Sequence, residues 1–393
     1  MITLENADKA LKDYYLQAVT TQLNDNISPF FSAIEKNANN VYGRDVKISV
    51  IHGSHDSVVA CGEDSDLPTP HSNRYIEISV PLKNIYGTIE ISDKALRASR
   101  DSSGAFVNLV NSEMDGLIAS AKFNFQRMLY GDSSGALAKI CAADKSVATN
   151  FRYTLDTAKY LDVGMTVDAI TTGGTKTEGL MVKSIDKNMN IVVFDKLVTG
   201  VETGNDDYDN GKAIITLAGT HGNELTGLRA IFNDKKLYGH DKSKEPYFSP
   251  YIVQTSGTVD EQSLVELLEH MEENHNSKIN MILCSYKKRR ELASQLSMMR
   301  MTMNTIDSNA GYGTVSINGV PVYADRYCPD DAMYFLNTDD FVLNQLCDWE
   351  WLEDEDGKIL KQIPGKAAYS ATLVKYAELV CKKPCAQAML KYV

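Results

Sequence analysis

The sequence predicts an α+β chain built from several small units, on three observations. Two runs, Val46, Ile48, Val50 and Ile76, Ile78, Val80, alternate apolar and polar residues with the period of a half-buried strand. One helical pattern runs from near Asp101–Gly104 to Gly131, far longer than the mean helix of about 11–12 residues. Short β-rich runs punctuated by turns fill Phe151 to Leu217, and beyond Thr258 good helices mix with strands.

Taken in order, residues 1–44 read as a polar arm with one or two short helices and no core of its own. Residues 45–92 read as a two-stranded finger, its strands separated by His52 to Asn73, a stretch rich in Gly, Ser, Asp and Pro. Loops beyond about 12–15 residues are uncommon in compact domains and are usually functional. A two-stranded ribbon is marginal in water, so the finger is expected to lie on another surface. Residues 93–150 hold the long helix. Phe106, Leu109, Val110, Leu117, Ala121, Met128 and Leu129 fall mostly on one stripe, and Gly131 ends it. Roughly 27 residues at about 1.5 Å each make a rod of about 40 Å, which spans a domain rather than filling one.

Residues 151–218 read as a small antiparallel β insertion. Its strands are expected at Phe151–Leu155, Val163–Ile170, Gly179–Ile185, Ile191–Phe194 and Ala213–Leu217. Residues 219–258 lead to a second helix, opened by a capping box of Thr258 and Glu261 and buried through Leu264, Leu267, Leu268 and Met271. Residues 259–365 read as a separate α+β unit. It takes that helix, a buried strand at Ile279–Cys284, a helix restarting after Ser285, and strands near Val315–Ile317, Val320–Ala324 and Met333–Leu336. A hairpin of Cys347–Leu352 with Ile359–Ile363, turning at Asp356-Gly357, completes it, and residues 366–393 close the chain.

Composition narrows the function. Hydrophobic content of 43% and charged content of 23% are globular values, which argues against disorder. A net charge of −12 argues against a dedicated nucleic-acid binder, whose affinity comes largely from Lys and Arg neutralising phosphates. Met1 to Leu23 lack the basic start, apolar run and cleavage site of a secretory signal. No apolar stretch approaches the roughly 18 residues of a membrane span. Seven cysteines, odd in number and mostly scattered, predict free thiols folded in a reducing cytoplasm. Only Cys381 and Cys385 stand close, and two thiols make half a zinc site at best. Neither a phosphate loop nor a dinucleotide fingerprint is present, so nucleotide chemistry has no foothold.

Three strings look chemical. Gly131-Asp132-Ser133-Ser134-Gly135 matches the G-x-S-x-G pattern, which works only on a strand-to-helix elbow. Here it follows a helix, so the context is reversed and helix termination explains it better. Gly219-Thr220-His221-Gly222-Asn223-Glu224 follows an apolar strand and resembles the zinc signature of the aspartoacylase and succinylglutamate desuccinylase family. That resemblance implies His221 and Glu224 as metal ligands for an activated water. The rest of the chain withholds support: no Asp-x-Asn-Arg string follows, and the last histidine is His275, on an amphipathic helix. His52 and His55, at the base of the finger, find no third ligand nearby. The basic run Lys287-Lys288-Arg289-Arg290 opens a helix against its dipole, beside a helix rich in Glu.

Two longer stretches carry a resemblance across the whole chain. One is Ser92-Asp93-Lys94-Ala95-Leu96-Arg97-Ala98-Ser99 with Ala105-Phe106-Val107-Asn108 and the helix end Arg127-Met128-Leu129-Tyr130-Gly131. The other runs from Asn318-Gly319-Val320-Pro321-Val322 through Asp325 and Met333-Tyr334-Phe335-Leu336 to Ala368-Tyr369-Ser370-Ala371-Thr372-Leu373. In kind and order these resemble the major capsid proteins of tailed bacteriophages, the Hong Kong 97 type of shell subunit. The resemblance implies an N-terminal arm at 1–44 and an extended loop at 45–92 lying across an adjacent subunit. It implies a spine helix and peripheral domain at 93–150, with 219–258 and 366–393, and an axial domain at 259–365.

The function so implied is structural, with no catalytic residue, cofactor or metal. Copies assemble as pentamers and hexamers into an icosahedral virion shell in the host cytoplasm, around weakly and non-specifically contacted double-stranded DNA. A separate scaffold protein and a portal are expected partners, and no membrane is. Some members crosslink through a finger lysine, but His52 to Arg74 contains none, which predicts a non-covalent shell. Two alternatives remain: an encapsulin-like compartment of the same fold, and a zinc-dependent deacylase using His221 and Glu224.

Overall fold

The computed structural model describes residues 28–38, 41–42, 45–53, 57–58, 60–62, 71–94, 103–143, 151–201, 213–257, 259–298, 315–353 and 359–392. The chain divides into two compact units, one of Met1–Tyr130 with Leu228–Val393 and one of Gly131–Gly227.

The first unit is organised by the long strand Ala368–Cys381. Along one edge it pairs antiparallel with Lys83–Ser92, from Ala368 against Ser92 to Ala377 against Lys83. Phe341–Trp351 pairs with it over Leu373 to Cys381, and Lys361–Gln362 over Tyr369 and Ser370. Glu35–Asn37 extends the sheet in parallel beyond Phe341–Trp351. The hairpin expected between Cys347–Leu352 and Ile359–Ile363 does not form. The first of these pairs instead with the long strand, from Cys347 against Tyr376 to Trp351 against the buried Leu373, continuing a ladder that begins at Phe341 against Cys381. The turn at 354–357 lies outside the described residues.

The short helix α1 (Pro29–Ala33) buries Phe30 and Phe31 in this unit. Phe30 lies edge-on to Phe341 at 5.3 Å and beside Tyr130 at 6.2 Å, and Phe31 meets Phe125 at 5.4 Å. The end of the arm therefore contributes two phenylalanines to the core of the first unit. Residues 1–27 lie outside the described residues.

The long helix α2 (Ser103–Met128) packs against Lys83–Ser92. At Gly87 an added Cβ would stand 2.8 Å from Leu117 Cδ1, so the bare backbone permits the close approach. Its buried stripe is Met114, Ile118, Phe125 and Met128, at helical spacing. Of the expected stripe, Met128 and Leu129 are buried and Leu117 and Ala121 half-buried, while the side chains of Phe106, Leu109 and Val110 lie outside the described residues. Beneath it Lys375 is fully buried. Its ammonium reaches Asp348 at 2.6 Å and Gln345 at 2.9 Å, and lies 5.4 Å from the ring centre of Phe125. Burial pushes the Lys375 amine down against the pull of Asp348.

The second sheet of this unit has six strands in the order Tyr251–Thr255, Ala388–Tyr392, Ala332–Leu336, Met281–Cys284, Val320–Ala324, Val315–Ile317. Met281–Cys284 and Ala332–Leu336 are buried at every residue, as strands covered on both faces must be. On one face α3 (Leu228–Asn233) places Phe232 against Tyr334, ring centres 5.3 Å apart. On the other, α4 (Glu261–His275) and α5 (Tyr286–Met298) share a core with Ile282, Met333, Phe335 and Leu390. Asp260 takes the N-cap position of α4; Thr258 lies outside the described residues. The sheet draws in Tyr251–Thr255 and Ala388–Tyr392, both from beyond the 259–365 segment.

One buried carboxylate joins three parts of the first unit. Asp325, 3% exposed, accepts hydrogen bonds from the hydroxyls of Ser28 and Tyr130 and, at 2.9 Å, from the Tyr327 N–H. Burial, then the nearby Asp325 carboxylate, holds the Tyr130 phenol far above its usual range, so it stays a donor. Asp325→Ala strands these donors and is expected to cost about 3 kcal/mol, since hydrogen bonds to buried charge are worth roughly 1.5–3 kcal/mol each. Urea unfolding of the chain measures it; an unchanged midpoint would contradict the role given to this carboxylate.

The second unit is a closed six-stranded barrel of Ala136–Ala143, Phe151–Leu155, Thr166–Thr171, Lys176–Asp186, Ile191–Phe194 and Ala213–Leu217. Leu137, Ile140, Tyr153, Val167, Leu180, Val192, Phe194 and Ile215 are among the side chains that fill it, as interior residues must in a barrel this narrow. The expected insertion began at 151, but Ala136–Ala143 closes the ring by pairing with both Phe151–Leu155 and Ala213–Leu217.

Candidate functional site

The first two chemical-looking strings meet each other in the barrel unit. Ser133 takes a left-handed φ of 64°, and Gly135 a φ of 83°, in the turn that leads from Tyr130 into Ala136–Ala143. The Asp132 carboxylate accepts from Ser134 N–H at 3.1 Å, and the Ser134 hydroxyl accepts from Ala136 N–H at 3.2 Å. The Ser134 carbonyl accepts from Gly222 N–H at 3.1 Å and lies 3.1 Å from His221 Nδ1. The two turns thus clasp the entry and exit of the barrel. Gly219 and Gly222 both have positive φ, 75° and 72°, which is what their place in a left-handed turn requires.

Asp168 anchors this clasp, and sequence reasoning missed it. Its side chain is 3% exposed. It accepts from Gly219 N–H at 2.9 Å and Gly179 N–H at 3.0 Å, and pairs with Lys176 at 3.3 Å. Burial alone would raise its carboxyl, but those backbone donors and Lys176 outweigh it and hold the carboxyl below its ordinary value. The only sequence signal was a lone acid inside the apolar strand Thr166–Thr171.

These contacts bear on the zinc reading. His221 is exposed, with its Nδ1 turned to the Ser134 carbonyl, whereas Glu224 is 3% exposed and beneath the turn. Among the described residues no group of three His, Cys, Asp or Glu side chains gathers to hold a metal. The donor set does not fit an open tetrahedral site, and no metal-assisted step follows from it. His52 lies edge-on to Tyr247 at 5.1 Å, and His55 falls outside the described residues. The thiols of Cys381 and Cys385 are both raised, in each case first by burial, which makes them poor metal ligands.

The surface that remains is the finger. Asp45–His52 pairs antiparallel with Arg74–Pro81 over eight positions, and Val41–Tyr42 adds a short third strand. At its root Val46, Ile48, Ile78 and Val80 are buried on one face. His240 Nε2 lies 3.2 Å from the Glu77 carbonyl, and with the His52–Tyr247 contact it braces the ribbon on its own chain. Further out the burial ends. Ile51 and Tyr75, directly opposite in the ladder, are 57% and 63% exposed, and Val58 beyond them is 89% exposed. An aliphatic side chain of this size gains about 1.5–3 kcal/mol when fully buried, so these residues represent unrealised burial in the single chain.

No family model matches the sequence, and no curated protein matches it. Solved structures do match. The capsid asymmetric unit of cyanophage A-1(L) aligns over 93% of this chain and 92% of its own, at 11% identity and a TM-score of 0.56. The capsid of a native GTA particle aligns over 92% of this chain and 89% of its own, at 12% identity and a TM-score of 0.47. The holo-SrpI encapsulin complex of Synechococcus elongatus PCC 7942 aligns over 93% and 88%, at 12% identity and a TM-score of 0.45. The chain has the Hong Kong 97 type of capsid fold.

Asp168 yields a prediction with a defined sign. A carboxyl depressed in the folded state contributes its full stability above the ordinary carboxylate range of about 4 and loses it as pH falls through the folded value. The barrel is therefore expected to weaken in acid, and Asp168→Asn to cost about 2 kcal/mol at neutral pH. The variant should also lose that part of the acid sensitivity. Urea unfolding at pH 7 and pH 3 reads both; equal pH dependence in the two proteins would contradict the assignment.

Proposed function

We propose that the chain is the structural subunit of a self-assembling protein shell, and more finely the major capsid protein of a tailed bacteriophage. The observation that carries the reading is the fold itself, matched to a phage capsid subunit over nearly the whole length of both chains. The chemistry of the single chain supports it. The first two chemical-looking strings form turns that clasp the barrel, while Ile51, Val58 and Tyr75 on the finger stay exposed.

In this reading the finger lies across an adjacent copy and gains there the burial it lacks alone. Anything that binds the folded chain stabilises it by mass action, so finger and shell form together. Copies gather as pentamers and hexamers into an icosahedral particle assembled in the host cytoplasm. A separate scaffold protein guides them, and a portal occupies one vertex. A net charge of −12 suits a wall that encloses double-stranded DNA without adhering to it. The protein catalyses nothing. Particles filled with protein in place of DNA would move the assignment to an encapsulin-like compartment.

Two outcomes are expected. Deleting residues 54–72 should leave a soluble, folded chain that no longer closes into particles, as negative-stain microscopy would show; intact particles from the deletion would rule out the finger's role. Mature particles boiled in detergent should run as a single monomer band, because the stretch from His52 to Arg74 offers no lysine for crosslinking. A ladder of multiples would contradict a non-covalent shell.

A further inference from the structure

Both helices on the six-stranded sheet carry charges set against their own dipoles. The last turns of α4 hold Glu269, Glu272 and Glu273, all exposed, where the backbone dipole is already negative. The first turns of α5 hold Lys287-Lys288-Arg289-Arg290, at its positive end, with no acidic residue in the first turn. Lys288 is used within the unit: it pairs with Glu291 at 3.0 Å and lies 3.7 Å from the Tyr392 ring centre. Lys287 and Arg290 are exposed and meet no carboxylate among the described residues, and Glu269, Glu272 and Glu273 meet no cation there. The apolar sides of the two helices share one core, so these charged sides are left facing outward.

We propose that the acidic end of α4 in one copy docks against the basic start of α5 in a second copy, a head-to-tail contact that repeats around a ring. The inference rests on the shell reading above and names the charges that order its subunits. Lys383 already donates to the His275 carbonyl at the end of α4, at 3.2 Å, so what the contact adds is a set of partners for the exposed Glu269, Glu272, Lys287 and Arg290 side chains, with carboxylates meeting a positive helix start. The two patches differ and lie on one chain, so each copy gives one and receives the other. Heterologous contacts of this kind close into rings when the rotation allows. Charge complementarity also gives a chain of net charge −12 a local attraction to its own kind, which sets register and speeds encounter.

The test is a charge swap in the full chain. One variant carries E269K and E272K, a second K287E and R290E, and a third all four. Each substitution gives its own helix a favourable end charge, so melting temperatures of the unassembled variants should hold or rise. Each pair alone is expected to lower particle yield at least tenfold at equal concentration, and the combined variant to recover it. Wild-type assembly should slow as salt rises from about 50 mM to about 500 mM, because exposed charges are screened within about a Debye length. Pair variants that assemble like wild type, or a combined variant that does not recover, overturn the contact and leave the shell reading standing. A wild-type chain that forms no particle overturns both.

Discussion

The strand Ala368–Cys381 is paired along most of its length on both edges, and the finger, the long helix and Glu35–Asn37 take their positions from it. Lys83–Ser92 lies on one edge, and the finger strand Arg74–Pro81 precedes it with only Leu82 between, so the root of the finger is held to the centre of the sheet. The long helix packs on Lys83–Ser92, close enough that Gly87 has no room for a side chain unless Leu117 moves. Phe341–Trp351 lies on the other edge and carries the arm segment Glu35–Asn37 in turn. The arm segment, the finger and the long helix are thus referred to one ladder.

Buried charge fastens this frame where apolar packing alone would leave it loosely specified. Asp325 draws hydrogen bonds from the arm at Ser28, from the end of the spine helix at Tyr130 and from its own loop at Tyr327. Lys375 answers Asp348 beneath the helix, and Asp168 gathers two backbone N–H groups and Lys176 in the barrel. Removing one partner from such a set leaves uncompensated buried charge, so each joint is costly to break even where its net contribution to stability is small.

How much of this was legible in the sequence follows from the range of the interactions. The finger strands, the long helix and three of the barrel strands were readable because their periodicity is local: Phe151–Leu155, Ile191–Phe194 and Ala213–Leu217 stand where the pattern put them. Ala136–Ala143 was not, because four alanines in eight residues carry helix propensity and only barrel closure makes them a strand. The partner of Phe341–Trp351 was misread because a nearby hairpin turn competed with a longer strand further along the chain. Asp168 and Asp325 were invisible as joints, since Gly219 is 51 residues from one and Ser28 is 297 from the other. The zinc-like string was legible as residues and misleading as chemistry, because a left-handed turn selects the same glycines that a metal loop does.

The single chain leaves apolar residues exposed on its finger and several charged side chains of its helices without partners among the described residues. Electron microscopy of the purified wild-type chain, with its mass in solution measured in parallel, tests that most directly. The account predicts closed particles tens of nanometres across, made of this one chain. A monodisperse species of 43.5 kDa that stays single at every concentration would contradict it.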